Sequence, residues 1–594
     1  MRGTDTRPVD QPETSLANGI LAPWAPPALL AALFALLATW SWGKWADPIV
    51  DFGNEPYLSW QLLAGRRDLV SLYGPLSPWV NALWFTLFGA SLRTLAVCNL
   101  VLAACLAAVV YRFVTASTDR VTATIATTVL LVSFVFSHHA EDAANYDFIW
   151  PYTHAATHGT ILLVCGIAAL GRAVVSDRTP AWVTAGILLA ATALTKPEIA
   201  LAAAFTGAVA ILWRVVDGRA ERFRGPLVFV AGCLVPIGAC GLLLGVDALT
   251  APWMAIARVV GQEHAFASSL MGTDDWRGNA ARVAVDAILW SIVAAALIAA
   301  DGASAAMSHE RRRWIAIVAV AVVGALIVRD LPGVGRPLPV LVPIAAGVLA
   351  WIAWRRPVER RRLVPLVLWA TAAWVLLGRM LLNVHFHHYG FYLAMPAAIL
   401  VVTLGVGTIP RLLADRTPDG GRLVRTVALA TVGLLVAYSV GLSAVSYAHM
   451  TVPIGRGANA MLGPDLDVSP TGSLAAALEE RIARMPPGAT LAILPQGALL
   501  AFIARRPNPT PYHDLMPPIF TTFGVEQVLA AYEARPPQYV VLVAWSGHEY
   551  GVATFGSPGW GSELAQWVAR RYEQMEAIPT TPTTVGFSIW RRRD

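Results

Sequence analysis

Three carboxylates, Asp47, Asp51 and Glu55, fall within nine residues in the stretch Ala46-Asp47-Pro48-Ile49-Val50-Asp51-Phe52-Gly53-Asn54-Glu55-Pro56-Tyr57. They follow directly on an apolar run long enough to cross a bilayer. A carboxylate where lipid meets water is costly unless it is used. One such group can take a proton from an acceptor hydroxyl, while a second orients it or holds a divalent metal. Asp51 and Glu55 are four apart and would share a face of a helix, but Gly53 and Pro56 argue against a continuous one. The plainer alternative is a solvated cap on a helix that starts near Pro56.

Three further polar clusters stand between apolar runs. Lys196-Pro197-Glu198 interrupts a long apolar stretch; its ammonium could neutralise a lipid phosphate at the interface, or simply pair with Glu198 at a turn. Arg379 precedes Asn383-Val384-His385-Phe386-His387-His388-Tyr389-Gly390. An arginine and three histidines at a helix end suit a phosphate or pyrophosphate-like leaving group. The stretch His138 to Tyr152, followed by His154 and His158, mixes histidines, acids and aromatics. It has no HExxH or comparable metal spacing, and aromatics at an interface usually anchor, so anchoring and packing is the favoured role there.

The elements that must position these residues are membrane spans. The chain has 594 residues, 56% hydrophobic and 14% charged, with a mean hydropathy of +0.56. A soluble domain carries about 25% charge. The net charge of +6 is dispersed over short loops, which speaks against a nucleic-acid partner. Lysine occurs only at 44 and 196. The cysteines, Cys98, Cys105, Cys165, Cys233 and Cys240, all lie in apolar segments and suggest neither a disulfide framework nor a zinc site.

A crossing takes about 20 apolar residues. The runs 26–43, 94–112, 121–137, 157–175, 226–246, 282–300, 314–329, 338–354, 363–379, 390–409 and 424–445 qualify. The run 181–213 is about twice too long for one crossing and is broken at Lys196-Pro197-Glu198. Read as a hairpin, it puts every Arg-rich loop on one side and the loops 44–93, 138–156 and 247–281 on the other; read as one helix, it splits the Arg clusters. Cytoplasmic loops are enriched in Lys and Arg, so the hairpin is preferred. The expected fold is an α-helical polytopic membrane protein with about 13 spans. Residues 1–24 form a cytoplasmic tail and 25–446 the transmembrane domain, with 44–93 as its first outer loop. Within that loop Leu83 to Phe88 suits an interfacial helix. The stretch 447–594 has no span-length run. Ala489 to Leu494 and Tyr539 to Ala544 read as buried strands, and Leu474–Met485 and Ser562–Met575 carry helical spacing. This is a small α/β extracytoplasmic domain. No GxGxxG or Walker sequence occurs, so a soluble nucleotide site is not expected.

In this order the clusters resemble the GT-C superfamily of membrane glycosyltransferases, which includes protein O-mannosyltransferases and bacterial aminoarabinose transferases. The resemblance rests on Asp51-Phe52-Gly53-Asn54-Glu55 after the first span. Tyr73-Gly74-Pro75-Leu76-Ser77-Pro78, Asn145-Tyr146 with Pro151-Tyr152, Thr195-Lys196-Pro197-Glu198 and His387-His388-Tyr389-Gly390 support it. Relatives commonly carry an adjacent Asp-Glu pair, whereas here three residues separate Asp51 from Glu55. The resemblance implies transfer of a sugar from a polyprenyl-phosphate donor to a lipid, glycan or protein acceptor outside the membrane, with inversion in one displacement. It implies Asp51 as base, with Glu55 as the alternative or as a metal or acceptor ligand. Lys196, Arg379, His387 and His388 would hold the phosphate. Tyr57, Tyr73, Asn145, Tyr146, Tyr152, His158, Glu198 and Tyr389 would line the substrate path. The resemblance names no certain cofactor and is compatible with a divalent metal. The expected location is the bacterial cytoplasmic (inner) membrane, N-terminus cytoplasmic and C-terminal domain extracytoplasmic. A lipid-linked saccharide transporter would need polar residues through the membrane depth, and a non-enzymatic envelope protein would tolerate loss of Asp51.

Overall fold

The computed structural model describes residues 23–45, 47–50, 52–138, 146–217, 223–262, 264–303, 307–414, 420–581 and 583–593. The expected tail, apart from residues 23 and 24, and the site candidates Asp51 and Asn145 lie outside the described residues. The protein is a multi-pass helical membrane protein that carries a small C-terminal sheet domain. Among the described residues nine helices are long and apolar enough to cross a bilayer, and three shorter apolar helices, Ala25–Ser41, Arg120–Val135 and Thr179–Leu194, accompany them. Every expected span falls on a helix. The segment 314–329 lies in His309–Arg329, which is not among the nine long apolar helices. Apolar side chains cover the flanks of the bundle, as with Leu242, which is 89% exposed; lipid is the solvent that makes such a surface inexpensive.

The break at 195–196 is real. Thr179–Ala191 passes through a short 3-10 turn, Thr192–Leu194, and a new helix, Pro197–Val216, starts after Lys196. Proline at the first helical position loses only a donor that has no partner there, and Glu198 in the first turn complements the helix dipole. The arginine-bearing ends gather at one end of the bundle, where Arg360 meets Asp217 at 2.5 Å, Arg411 meets Glu359 at 2.7 Å and Arg425 meets Asp119 at 3.4 Å. The C-terminal domain sits at the other end.

Two expectations change. The stretch 247–281 is helical over Val246–Gln262 and His264–Met271 rather than a loop. Leu249, Pro252, Ala255, Ile256 and Val259 recur at helical spacing and turn inward; Asp247, Arg258 and Pro252 hide that pattern from a span search. In the C-terminal domain the helix Ser562–Arg571 stops four residues short of Met575, and Tyr572–Ile578 is a strand. Pairing with the last strand and the buried Tyr572 ring, whose hydroxyl donates to Pro537 O at 2.7 Å, override the helical spacing.

The domain opens with a hairpin of β1 (Met450–Ile454) and β2 (Met461–Pro464). Its main sheet comprises β3 (Leu491–Leu494), β4 (Tyr539–Val543), β5 (Tyr572–Ile578) and β6 (Phe587–Arg592), in the order β3-β4-β6-β5. β3 and β4 run parallel and the other pairs antiparallel. Alternate residues face opposite sides of a sheet. Ile493, Val541 and Ile589 therefore join the core that includes Leu474, Leu478 and Ile482, while Ala492, Leu494 and Val540 join Tyr532 and Trp567.

This domain grips the first loop along its length. Trp45 N donates to Leu462 O at 2.9 Å, and Asn508 N donates to Tyr57 Oη at 2.6 Å. Arg66 donates to the carbonyls of Asn508, Pro509 and Thr510, and Val70 N to Pro511 O at 3.1 Å. The loop itself holds two helices, Asn54–Leu63 and Leu76–Phe88. The second is interfacial in pattern: Leu83, Leu87 and Phe88 are exposed while Asn81, Ala82 and Phe85 are buried. At the start of the first, Gly53 packs on backbone, and a Cβ there would lie 2.2 Å from Leu499 N. Overpacking of this kind costs about 1–3 kcal/mol. Gly53→Ala is expected to lower the thermal midpoint of the full-length protein and to raise hydrogen exchange over 498–503; an unchanged melt and exchange pattern would refute the close contact.

Candidate functional site

The loop, the helix ends and the C-terminal domain enclose one cavity of about 730 Å³. Glu55, Tyr73, Tyr146, Tyr152, Lys196, Glu198, Arg379, His388 and Tyr389 all line it. Residues as far apart in sequence as 55 and 389 thus share one space. Tyr57, His158 and His387 do not line it. Tyr57 is buried against the domain, its ring stacked 5.2 Å from that of His513. His158 lies one turn into His154–Ser176, where its Nδ1 is 3.0 Å from Ser77 Oγ. The His387 ring lies tilted against that of His385, with ring centroids 4.6 Å apart.

Glu55 is 3% exposed, and its oxygens are already engaged. Oε1 accepts from Thr153 Oγ1 at 2.5 Å and from Ala155 N at 3.1 Å, and Oε2 accepts from His154 N. His154 Nδ1 lies 3.0 Å from Oε2. Asn99 Nδ2 approaches His154 Nε2 at 3.1 Å while also donating to Ile149 O at 2.9 Å. Because Nδ2 can only donate, Nε2 carries the lone pair and Nδ1 the proton directed at Glu55. Burial alone would raise the Glu55 pKa, but the hydrogen bonds from His154 and Thr153 outweigh it and hold the carboxyl below its ordinary value. Glu55 thus caps the first turn of His154–Ser176, where the orphan N–H groups and the dipole favour an anion. A divalent metal does not fit at this carboxylate, because binding it would strip the helix start of its acceptors. Among the described residues the group with metal-compatible spacing is His449, Asp465 and Asp467, with donor atoms within 4.8 Å of one another, and none of the three lines the cavity.

Lys196 is 5% exposed and sits in a cage of tyrosines. Its Nζ lies 4.9 Å from the centroid of Tyr73, 4.6 Å from Tyr152, 6.0 Å from Tyr389 and 5.2 Å from Tyr392. It donates to Tyr152 Oη and, at 3.2 Å, to Tyr392 Oη, and meets Glu198 Oε1 at 3.0 Å. Tyr392 Oη donates in turn to Glu198 at 2.7 Å. Desolvated cation–π contacts are worth about 2 kcal/mol each, so the cage compensates a buried ammonium without neutralising it. Two sequence motifs build the cage jointly. Gly74 N donates to Thr195 O at 2.8 Å, and a Cβ on Gly74 would lie 2.3 Å from Leu194 O. Only glycine lets Tyr73 come up beside Lys196.

Arg379 enters the cavity from the 3-10 turn Gly378–Met380, which closes Arg360–Leu377. His388 has φ +51°, a left-handed conformation that histidine tolerates better than most residues, and its ring faces Tyr146 at 5.2 Å. Burial, then the neighbouring His385 and His387, push the His388 pKa down to about 3; burial also lowers that of His387. The positive charge of the site at neutral pH therefore comes from Lys196 and Arg379, with His388 an uncharged polar neighbour.

The cavity also holds residues that the sequence reading left out. Tyr392 lies three residues after Tyr389, so helical spacing could have flagged it. Asn54, Thr153, His513, Asp514 and Glu549 carry no local signal. Asn54 Nδ2 donates to Asp514 Oδ2 at 2.9 Å, and Met516 N donates to Asp514 Oδ1 at 3.1 Å. Burial raises Asp514 to about 6 and lowers His513 to about 4.

The fold and this site define a class: a multi-pass membrane protein whose soluble domain closes a tyrosine-rich, cation-bearing cavity. No protein-family model and no curated protein matches the chain. Among solved structures it is similar to ArnT from Cupriavidus metallidurans bound to undecaprenyl phosphate, at 12% identity and a TM-score of 0.44, over 96% of this chain and 98% of that one. It is also similar to the Archaeoglobus fulgidus oligosaccharyltransferase tethered with an acceptor peptide, at 11% identity and a TM-score of 0.40, over 96% of this chain and 75% of that one.

Replacing Glu55 by Gln puts an amide N–H₂ among backbone donors. The variant is expected to lose about 2 kcal/mol of stability, the cost of buried unsatisfied groups, together with activity. A residue acting only as a base would lose turnover at an unchanged melting temperature. Because the folded pKa is depressed, Glu55 contributes its full stabilisation above the ordinary value of 4.5 and loses it as acid titrates the folded carboxyl; Glu55→Gln should flatten that acid limb in melts taken against pH.

Proposed function

We propose that the chain is a membrane glycosyltransferase that moves a sugar from a polyprenyl-phosphate donor to an acceptor at the extracytoplasmic face. The observation that carries the reading is the common cavity: Lys196 and Arg379 line the same space as Val50, Asn54 and Glu55, which flank Asp51 in sequence. In the displacement, the acceptor O–H gives its proton to a carboxylate and its oxygen forms the bond to the anomeric carbon. The bond from that carbon to the phosphate oxygen breaks, and its electron pair stays on the phosphate. The two cations stabilise the charge that develops there, and the caged tyrosine hydroxyls offer further donors. Asp51 is the proposed base, since Glu55 is committed to the helix start and serves to fix the loop. The tyrosine rings present flat apolar faces on which a sugar can stack. The arginine-rich loops at the far end of the bundle support an orientation with the cavity outside.

Asp51→Asn is expected to abolish transfer from a radiolabelled polyprenyl-phosphate sugar while the protein still inserts and binds the donor; turnover like that of the wild type would remove Asp51 from the mechanism. Lys196→Ala should weaken donor binding at least tenfold, the scale of a charge-assisted hydrogen bond, and leave acceptor binding nearly unchanged. Equal losses on both substrates would count against a phosphate role for Lys196.

A further inference from the structure

The charges that line the cavity are divided by origin. Its cations, Lys196 and Arg379, come from the ends of membrane helices. Of its carboxylates, Glu198 is paired with Lys196 and Glu55 is taken by the helix start. Asp514 is different. It is carried by the C-terminal domain, lines the cavity, and has no cationic partner among the described residues. Its orientation is nevertheless fixed, by Asn54 Nδ2 on Oδ2 at 2.9 Å and by Met516 N on Oδ1 at 3.1 Å. Leu515 N and the Gln496 side chain also lie near enough to favour its charged form, but Gln496 makes no hydrogen bond in this structure, so of about four acceptor positions capacity remains for a ligand. Asp47 and Glu549 line the same cavity, but burial raises the pKa of both and disfavours their charged forms.

We infer that Asp514 selects the acceptor: its preset carboxylate takes a hydrogen bond from a hydroxyl or amine of the acceptor and excludes acceptors that carry negative charge beside the reacting group. The inference rests on the transferase reading and names the class of its second substrate. An anionic acceptor group placed here would meet a fixed like charge, and like-charge juxtaposition at an interface suppresses the wrong partner. A neutral polyol or an amine meets an acceptor already aimed. Ionisation supports this: with its pKa at about 6, Asp514 is mostly charged at neutral pH.

The probes are decyl glucoside and the same glucoside carrying a 6-phosphate, added to the full-length protein in nanodiscs. Binding is measured without donor, and transfer with a radiolabelled polyprenyl-phosphate sugar. The neutral glucoside should bind at least tenfold more tightly than the phosphorylated one. Asp514→Asn, which keeps an acceptor for Met516 N, should narrow that gap about tenfold, raising the acceptor KM at an unchanged donor KM. Wild-type binding that does not separate the two glucosides overturns the inference, and this arm needs no variant. So does a gap that Asp514→Asn leaves intact, or a loss shared equally by donor and acceptor. A persisting binding difference with no transfer to either glucoside would instead overturn the transferase reading.

Discussion

A carboxylate buried beside a bilayer has to be met by hydrogen-bond donors, and Glu55 finds them at the first turn of His154–Ser176. Much else follows from that contact. It pulls the start of Asn54–Leu63 against a membrane helix, and with it Phe52, whose ring packs 5.5 Å from those of both Trp150 and His154. Asp47 and Asp147 solve the same problem locally, each closing a turn on the two backbone N–H groups at positions two and three ahead. Trp45 and Trp150, held by these turns, stack at 5.9 Å. The loop is therefore pinned to the bundle by polar groups satisfied in apolar surroundings, where an unpaired one would be expensive.

The C-terminal domain fixes the other side of the same loop. It grips backbone as often as side chains: Arg66 reads three consecutive carbonyls, and Leu462 pairs with Gly43 and Trp45 in strand fashion. A loop held between a helix bundle and a docked sheet is stiffer than one facing solvent, which suits a site whose groups must be in place before the substrate arrives. The tyrosine cage has the same character. Lys196 is oriented by Glu198 and two hydroxyls, and the approach of Gly74 to Leu194 couples the first loop to the hairpin break.

The sequence revealed elements more readily than partnerships. Apolar length found the helices, and the charge of the loops resolved 181–213 into two helices around Lys196. The same reasoning collected the polar clusters at one end, where most of the site candidates share a cavity. Glu55 could be marked as unusual but not as a helix cap, because its donors lie 98 to 100 positions away. His158 was placed near the right end of its helix, but a single turn separates a cavity-facing position from one against Ser77. Asp514 was invisible for a further reason. It sits in a proline-rich run of a domain that reads as an ordinary soluble unit, and only its docking onto Asn54 gives it a place in the cavity.

The scarcity of lysine has a practical side. The two side-chain amines of the chain stand at informative positions: Lys196 inside the cavity, and Lys44 beside the bridge to Leu462, where the end of the first helix meets the hairpin of the C-terminal domain. Among side chains, an amine-directed reagent thus meets two chemically identical groups in unlike settings. One reports whether the cavity is filled, and the other whether the domain is seated. The chain carries its own pair of labels, one for occupancy and one for assembly, without an engineered residue.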